Sequence, residues 1–300
     1  MENMENNAID RYEKAIADSQ VTTDDAAVAA AVRKILEKTP ENNNAEVWSK
    51  CLASIDLTTL STEDSERSVA AFTQRVNDFE NEYPQYPHVA SVCVYSNFAE
   101  VVKTNCDVEG VHTCVVAAGF PSSQTFQAVK VADVALAREA GADEVDIVLN
   151  VGMFLDHNYE DLCDEIIELK HIVRDGHLKV ILETGCLKTA EKIRAASILA
   201  MWSGADFIKT STGKIYQGAT LEAAYVMCKC IGEYYQKTGR KVGFKAAGGV
   251  RSTEDAVAYY TLVKEVLGDE WLTPELFRIG ASSLANHVLS SLEGTEVKFF

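Results

Sequence analysis

The chain has 300 residues, 47% hydrophobic and 24% charged, a composition that excludes wholesale disorder and allows a large buried core. Its formal net charge of −17 argues against a nucleic-acid partner, because there is no basic surplus to displace counterions from phosphates. No run approaches the roughly 18 uninterrupted apolar residues of a membrane span.

The first residues, Met1–Asn7, are acidic and polar, with neither a secretory nor an arginine-rich leader. Eight scattered cysteines without C-x-x-C spacing read as reduced thiols, and the expected location is the cytoplasm. Residues 9–38 are predicted helical, with a capping box at Thr22–Asp25 and Val28, Val32, Ile35 and Leu36 on one face. Residues 39–44, Thr-Pro-Glu-Asn-Asn-Asn, break that pattern. The expected organisation is an N-terminal helical extension over 1–45 and a catalytic domain over 46–300.

From residue 51, short β-branched runs alternate with helix-period segments, predicting strands at 51–57, 88–95, 112–118, 144–150, 179–184, 206–210, 242–246 and 276–280. The helices predicted at 124–140 and 189–203 end at Gly141-Ala142 and Ser203-Gly204-Ala205, which are glycine stop signals. No G-x-G-x-x-G or Walker A segment supports an open nucleotide-binding sheet. The predicted fold is therefore α/β, a (β/α)8 TIM barrel of about 250 residues carrying its chemistry at the C-terminal strand ends.

Those ends bear Asp56, Cys93, Asp146, Glu183, Lys209 and Lys245. Asp146 lies in Val145-Asp-Ile-Val-Leu149, a run otherwise fit for burial, so it needs a charged partner. Lys209 and Lys245 close look-alike runs on successive strands. Two like charges in a partly desolvated mouth should push one amine toward its neutral, nucleophilic form, and spacing leaves open which. Ser282-Ser283 at the start of the last helix and Gly248-Gly249 after strand seven suit a phosphate, against the plainer reading of a serine N-cap and a tight turn. Cys93 reads as a buried small hydrophobe. The six histidines lack paired ligand spacing and Cys228-Lys-Cys230 splits across a helix, so no metal and no cofactor are expected.

Several segments taken in order resemble the deoxyribose-phosphate aldolases, metal-independent class I aldolases of the barrel type. They are Ser54-Ile-Asp-Leu-Thr-Thr-Leu60, Val92-Cys-Val-Tyr95, Gly141-Ala-Asp-Glu-Val-Asp146, Leu182-Glu-Thr-Gly185, Asp206-Phe-Ile-Lys-Thr-Ser-Thr-Gly213, Gly243-Phe-Lys-Ala-Ala-Gly-Gly-Val250 and Gly280-Ala-Ser-Ser283. The resemblance implies reversible cleavage of 2-deoxy-D-ribose 5-phosphate to acetaldehyde and D-glyceraldehyde 3-phosphate, in deoxyribonucleoside catabolism. It implies that Lys209 forms the Schiff base and that Lys245 with Asp146 relays protons. It further implies that Asp56 touches a substrate hydroxyl and that Thr212, Lys214, Gly248, Gly249, Gly280, Ser282 and Ser283 contact substrate and phosphate. Ala246 replaces a proline found in many relatives, Lys298-Phe-Phe300 supplies no terminal tyrosine, and the long N-terminal part is similar to the eukaryotic branch. The alternatives are a class I aldolase of another phosphorylated sugar and a non-catalytic phosphometabolite-binding barrel. A homodimer is possible.

Overall fold

The computed structural model describes residues 11–300. Residues 11–17 are helical, and the next turn of chain is tied down by Glu233, which accepts from the Ser19 hydroxyl and the Gln20 amide. The predicted helix over 9–38 is thus interrupted, its first two residues lying outside the described ones. Helix α1 (Asp25–Leu36) starts from Asp24, whose carboxylate accepts from the amides of Ala26 and Ala27. The expected Thr22–Asp25 capping box does not form, since the Thr22 hydroxyl is turned to the Asp24 amide instead. A cap oxygen must stand two or three residues before a free N–H, and Asp24 meets that condition. Val28 and Val32 are the buried residues of α1, which packs on the two helices that follow the sixth and seventh strands.

The expected break contains a single turn, α2 (Thr39–Asn42), with proline in its first turn where a missing N–H is harmless. Helix α3 (Ala45–Ala53) follows from its cap Asn44. Residues 51–53 therefore end a helix rather than begin a strand. Val47, Cys51 and Leu52 form its buried face, and a short apolar run of that kind suits either element.

Eight parallel strands close into a barrel in chain order. They are β1 (Ile55–Thr58), β2 (Ser91–Tyr95), β3 (His112–Val116), β4 (Glu144–Val148), β5 (His177–Ile181), β6 (Phe207–Lys209), β7 (Gly243–Ala247) and β8 (Phe277–Ala281). The helices between and after them are α4 (Glu66–Glu82), α5 (Ala99–Asn105), α6 (Gln127–Glu139), α7 (Val151–Leu155), α8 (Tyr159–Val173), α9 (Thr184–Leu187), α10 (Ala190–Trp202), α11 (Leu221–Thr238), α12 (Thr253–Leu267) and α13 (Leu284–Glu293). Helices α6 and α10 stop before Gly141 and Gly204, both at positive φ, as the stop signals require.

Strand alternation sorts the core. Val92, Val115, Val145, Leu178, Ile208, Phe244 and Ile279 belong to the apolar layer shared with the helices. The intervening positions, Asp56, Ser91, Cys93, Cys114, Glu144, Asp146, Lys179, Lys209, Lys245 and Arg278, are buried on the other face, inside the barrel. Burying that many charges costs several kcal/mol per ion unless they neutralise one another. Among the described residues no helix is long and apolar enough to cross a membrane.

The C-terminal aromatics do not reach the barrel mouth. Asn286 accepts from the amides of Phe299 and Phe300, whose rings pack on Phe79 of α4.

Candidate active site

Lys209 and Lys245 are register partners on β6 and β7. Lys209 ends its strand, whereas Lys245 and Asp146 are the middle residues of β7 and β4, one layer below the expected strand tips. Exposure separates them: Lys209 keeps 4% of its surface open and lines the mouth, while Lys245 and Asp146 keep 0%. Asp146 Oδ2 accepts from both amines, at 2.7 Å from Lys209 Nζ and 2.8 Å from Lys245 Nζ.

The lysines are not two bare cations. Lys179 on β5, the register partner of Asp146, stands 3.2 Å from Asp146 Oδ1 and 2.5 Å from Glu144 Oε2. Arg278 on β8 donates to Asp56 Oδ1 at 2.5 Å and to Glu144 Oε1 at 2.8 Å. Asp56 also pairs with Lys245 and accepts from the Ser91 hydroxyl at 2.7 Å. Four cations thus interleave with the carboxylates of Asp56, Glu144 and Asp146.

Burial pushes the Lys245 ammonium toward neutrality, but Asp146 and Asp56 outweigh it and raise its pKa. Of the two amines, Lys245 is therefore not the one expected to be neutral. Lys179 is likewise pushed down by burial and carried well above the usual lysine range by the surrounding anions, Asp146 foremost. Burial alone would push the carboxyls of Asp146 and Glu144 up. The lysines around Asp146, and Lys179 with Arg278 at Glu144, hold both well below the usual carboxylate range.

A depressed carboxyl contributes stability that is present above its unfolded pKa, about 4.3 for glutamate, and lost as pH falls toward the folded value. Glu144→Gln should therefore cost about 3 kcal/mol at pH 7, since it takes one buried anion from both Arg278 and Lys179. That deficit should shrink once the pH drops below about 4. Urea unfolding of both proteins at pH 7, 5 and 3.5 checks this, and a deficit independent of pH would contradict it.

The mouth holds a cavity of about 440 Å³. Its walls come from residues 58–61, from Thr212, Gly213 and Lys214 after β6, from 247–251 after β7 and from 280–283 at β8. Of the expected substrate residues, Thr212, Lys214, Gly248, Gly249, Gly280, Ser282 and Ser283 line this cavity together. Asp56 does not line it: it is wholly buried and paired with Lys245. Ser283 stands at the N-cap of α13 without a side-chain capping bond, so the plainer N-cap reading is not realised and its hydroxyl is available to a ligand. Gly280 has a second reason to lack a side chain, because a Cβ there would come 3.0 Å from Lys245 Cε.

The sequence reading missed Lys179, Glu144, Arg278 and the cavity-lining Arg251. Glu144 stands two residues before Asp146 and Arg278 two before Gly280, so period-2 alternation marked both as inward-facing. Glu183, expected within strand five, lies beyond it as the N-cap of α9. Cys93 packs with Cys114 and Val116, as a small hydrophobe would. Strand starts also bring His112 and His177 together around Glu144, at 2.8 and 3.4 Å from its Oε1, a grouping that linear spacing hid. Both Glu144 oxygens are already held by Arg278 and Lys179, which disfavours a cation there.

Residues 51–286 match the model of the DeoC/LacD family aldolases. The chain is 42% identical to deoxyribose-phosphate aldolase of Homo sapiens over 252 residues, 80% of this chain and 78% of that protein. It is 40% identical to the Mus musculus enzyme of the same name over 257 residues, again 80% and 78% of the two chains. A tetrameric deoxyribose phosphate aldolase from Aeropyrum pernix superposes with a TM-score of 0.63 at 24% identity, covering 87% of this chain and 97% of the other, a likeness of fold.

Proposed function

This chain belongs to the DeoC/LacD family of aldolases, and on that premise we propose that it reversibly cleaves 2-deoxy-D-ribose 5-phosphate to acetaldehyde and D-glyceraldehyde 3-phosphate through an imine on Lys209. One observation carries the assignment: among the buried cations of the barrel, Lys209 is the one that lines the cavity. Lys245 is sealed and held as an ammonium by two carboxylates, so it acts as neighbour rather than nucleophile.

Lys209 Nζ attacks C1 of the open-chain sugar, and loss of water from the carbinolamine leaves an iminium. A base takes the C3 hydroxyl proton, the C2–C3 bond breaks, and its electron pair moves into the iminium to give an enamine. The C3 fragment leaves as glyceraldehyde 3-phosphate. Protonation of the enamine at C2 and hydrolysis then release acetaldehyde and regenerate the amine. Asp146 and Lys245 form the proton relay, supported by the hydrogen bonds that join both lysines to one carboxylate. The phosphate sits against Gly248, Gly249, Ser282 and Ser283, with Lys214 and Arg251 as the cations on the cavity wall.

Borohydride reduction in the presence of acetaldehyde, followed by peptide mapping, should place an ethyl group on Lys209. An adduct on Lys245, or none, would remove the proposal. Faster cleavage of a ketose phosphate than of deoxyribose 5-phosphate would instead favour a different sugar. Ser283→Ala should raise KM for the phosphorylated sugar by about 10-fold, the loss of one hydrogen bond to a charged group, and leave unphosphorylated deoxyribose nearly unaffected. Equal effects on both sugars would refute the phosphate assignment.

The same reading includes a cytoplasmic location, consistent with eight free cysteines, and a homodimer that sedimentation would test. It also treats residues 1–45 as an extension to a catalytic barrel over 46–300. Asp25 accepting from the Ala190 amide and Arg194 donating to the Val21 carbonyl support that docking.

A further inference from the structure

We propose that Glu183 is a positioning residue that sets the phosphate-facing wall of the cavity by holding Thr212; the proposal rests on the aldolase reading above. No step of that chemistry uses Glu183, yet it is an unusual residue. Its backbone is left-handed, with φ 55° and ψ 58°, a conformation that costs a non-glycine residue about 1–2 kcal/mol. Its side chain is buried, and among the described residues no cation pairs with it. A carboxylate in that position must be satisfied by hydrogen bonds.

Both bonds come from one residue. Thr212 donates its hydroxyl to Glu183 Oε2 at 2.6 Å and its amide to Oε1 at 3.3 Å. The hydroxyl oxygen in turn accepts from the Lys214 amide at 3.2 Å, so the carboxylate orders three consecutive cavity-lining residues. The residues after Glu183 grip the same loop. The Thr184 amide donates to the Thr210 carbonyl at 2.9 Å, and a Cβ on Gly185 would fall 2.3 Å from the Gln217 carbonyl oxygen. The loop then abuts the β7 turn, where a Cβ on Gly248 would lie 3.2 Å from Gly213 Cα. The turn after β5 is therefore a template for the loop after β6, and Glu183 is its polar contact. Lys209 is anchored separately by Asp146, so loosening the template moves the phosphate wall more than the amine.

Glu183→Gln keeps the shape but faces one Thr212 donor with an amide N–H, losing one of the two bonds. KM for deoxyribose 5-phosphate should rise about 10-fold while kcat falls less than about 3-fold. For unphosphorylated deoxyribose, kcat/KM should change by less than about 3-fold. Thr212→Val should likewise raise KM for the phosphorylated sugar, and the double variant should be no worse than the poorer single one, as expected for one coupled pair. An equal KM rise for both sugars, a kcat loss at unchanged KM, or additive effects would overturn the proposal. If Glu183→Gln does not fold, Thr212→Ser and Thr212→Val read the same coupling: serine, which keeps the hydroxyl donor, should raise KM less than valine does, and identical KM values would sink the idea. Acetaldehyde trapping on the parent protein separates the two levels. A parent trapped on Lys209 with none of the predicted KM patterns means that Glu183 alone was misread, whereas an untrapped parent overturns the aldolase reading and this proposal with it.

Discussion

Lys209→Leu is expected to lower kcat by at least about 10⁴-fold, roughly 5.5 kcal/mol of transition-state stabilisation, with the barrel still folded. The reaction has no other electron sink in this reading, so nothing remains to accept the electrons of the breaking C2–C3 bond. The fold should tolerate the change because Lys209 is the cluster member at the open rim, and Asp146 keeps Lys179 and Lys245. Steady-state turnover, acetaldehyde trapping and near-UV circular dichroism on the same sample check all three statements. Residual activity within about 100-fold of the parent would mean that another group carries the imine.

Asp146→Asn should fail differently, losing stability as well as rate. The substitution is nearly isosteric, so packing hardly changes, but it removes the anion shared by Lys179, Lys209 and Lys245. Breaking one partner of a buried charge network costs about 3–5 kcal/mol, because the remaining charges stay desolvated and unpaired. For a chain of this size that corresponds to a Tm lower by about 10 °C. With the relay interrupted, kcat should also fall by about 10²–10⁴-fold. Calorimetry beside kinetics separates the two effects. An unchanged Tm would show that Asp146 does not balance the lysines.

The two variants divide the site as the structure does, into an open amine and a sealed network. Only part of that division was legible in the chain. The lysines could be found because each closes a short apolar run before small residues. Asp146 stood out as a charge inside a run fit for burial. The loop glycines and Ser282-Ser283 could be picked out as residues of the mouth because bare backbone and a helix start suit an anion. Asp56 could be read as an inward carboxylate, but its pairing with Lys245 and Arg278 could not. The N-terminal helix was drawn too long, since amphipathic periodicity continues through a break that the hydrogen bonds of Ser19 and Gln20 to Glu233 enforce from a distant helix.

Alternation of period-2 and period-3.6 segments, with glycine stops between them, was written in the chain and implied a barrel. Those are local properties, set by backbone sterics and by which face of each segment is apolar. Which lysine is open, which carboxylate serves which cation, and the pairing of Glu183 with Thr212 emerged from contacts between distant segments. Asp56 and Arg278 are 222 residues apart in the chain and Glu144 and Arg278 are 134 apart, and they meet only because β8 closes against β1. A charge's pKa and reactivity depend on the partners it finds and the water it loses, and both are settled when the barrel shuts.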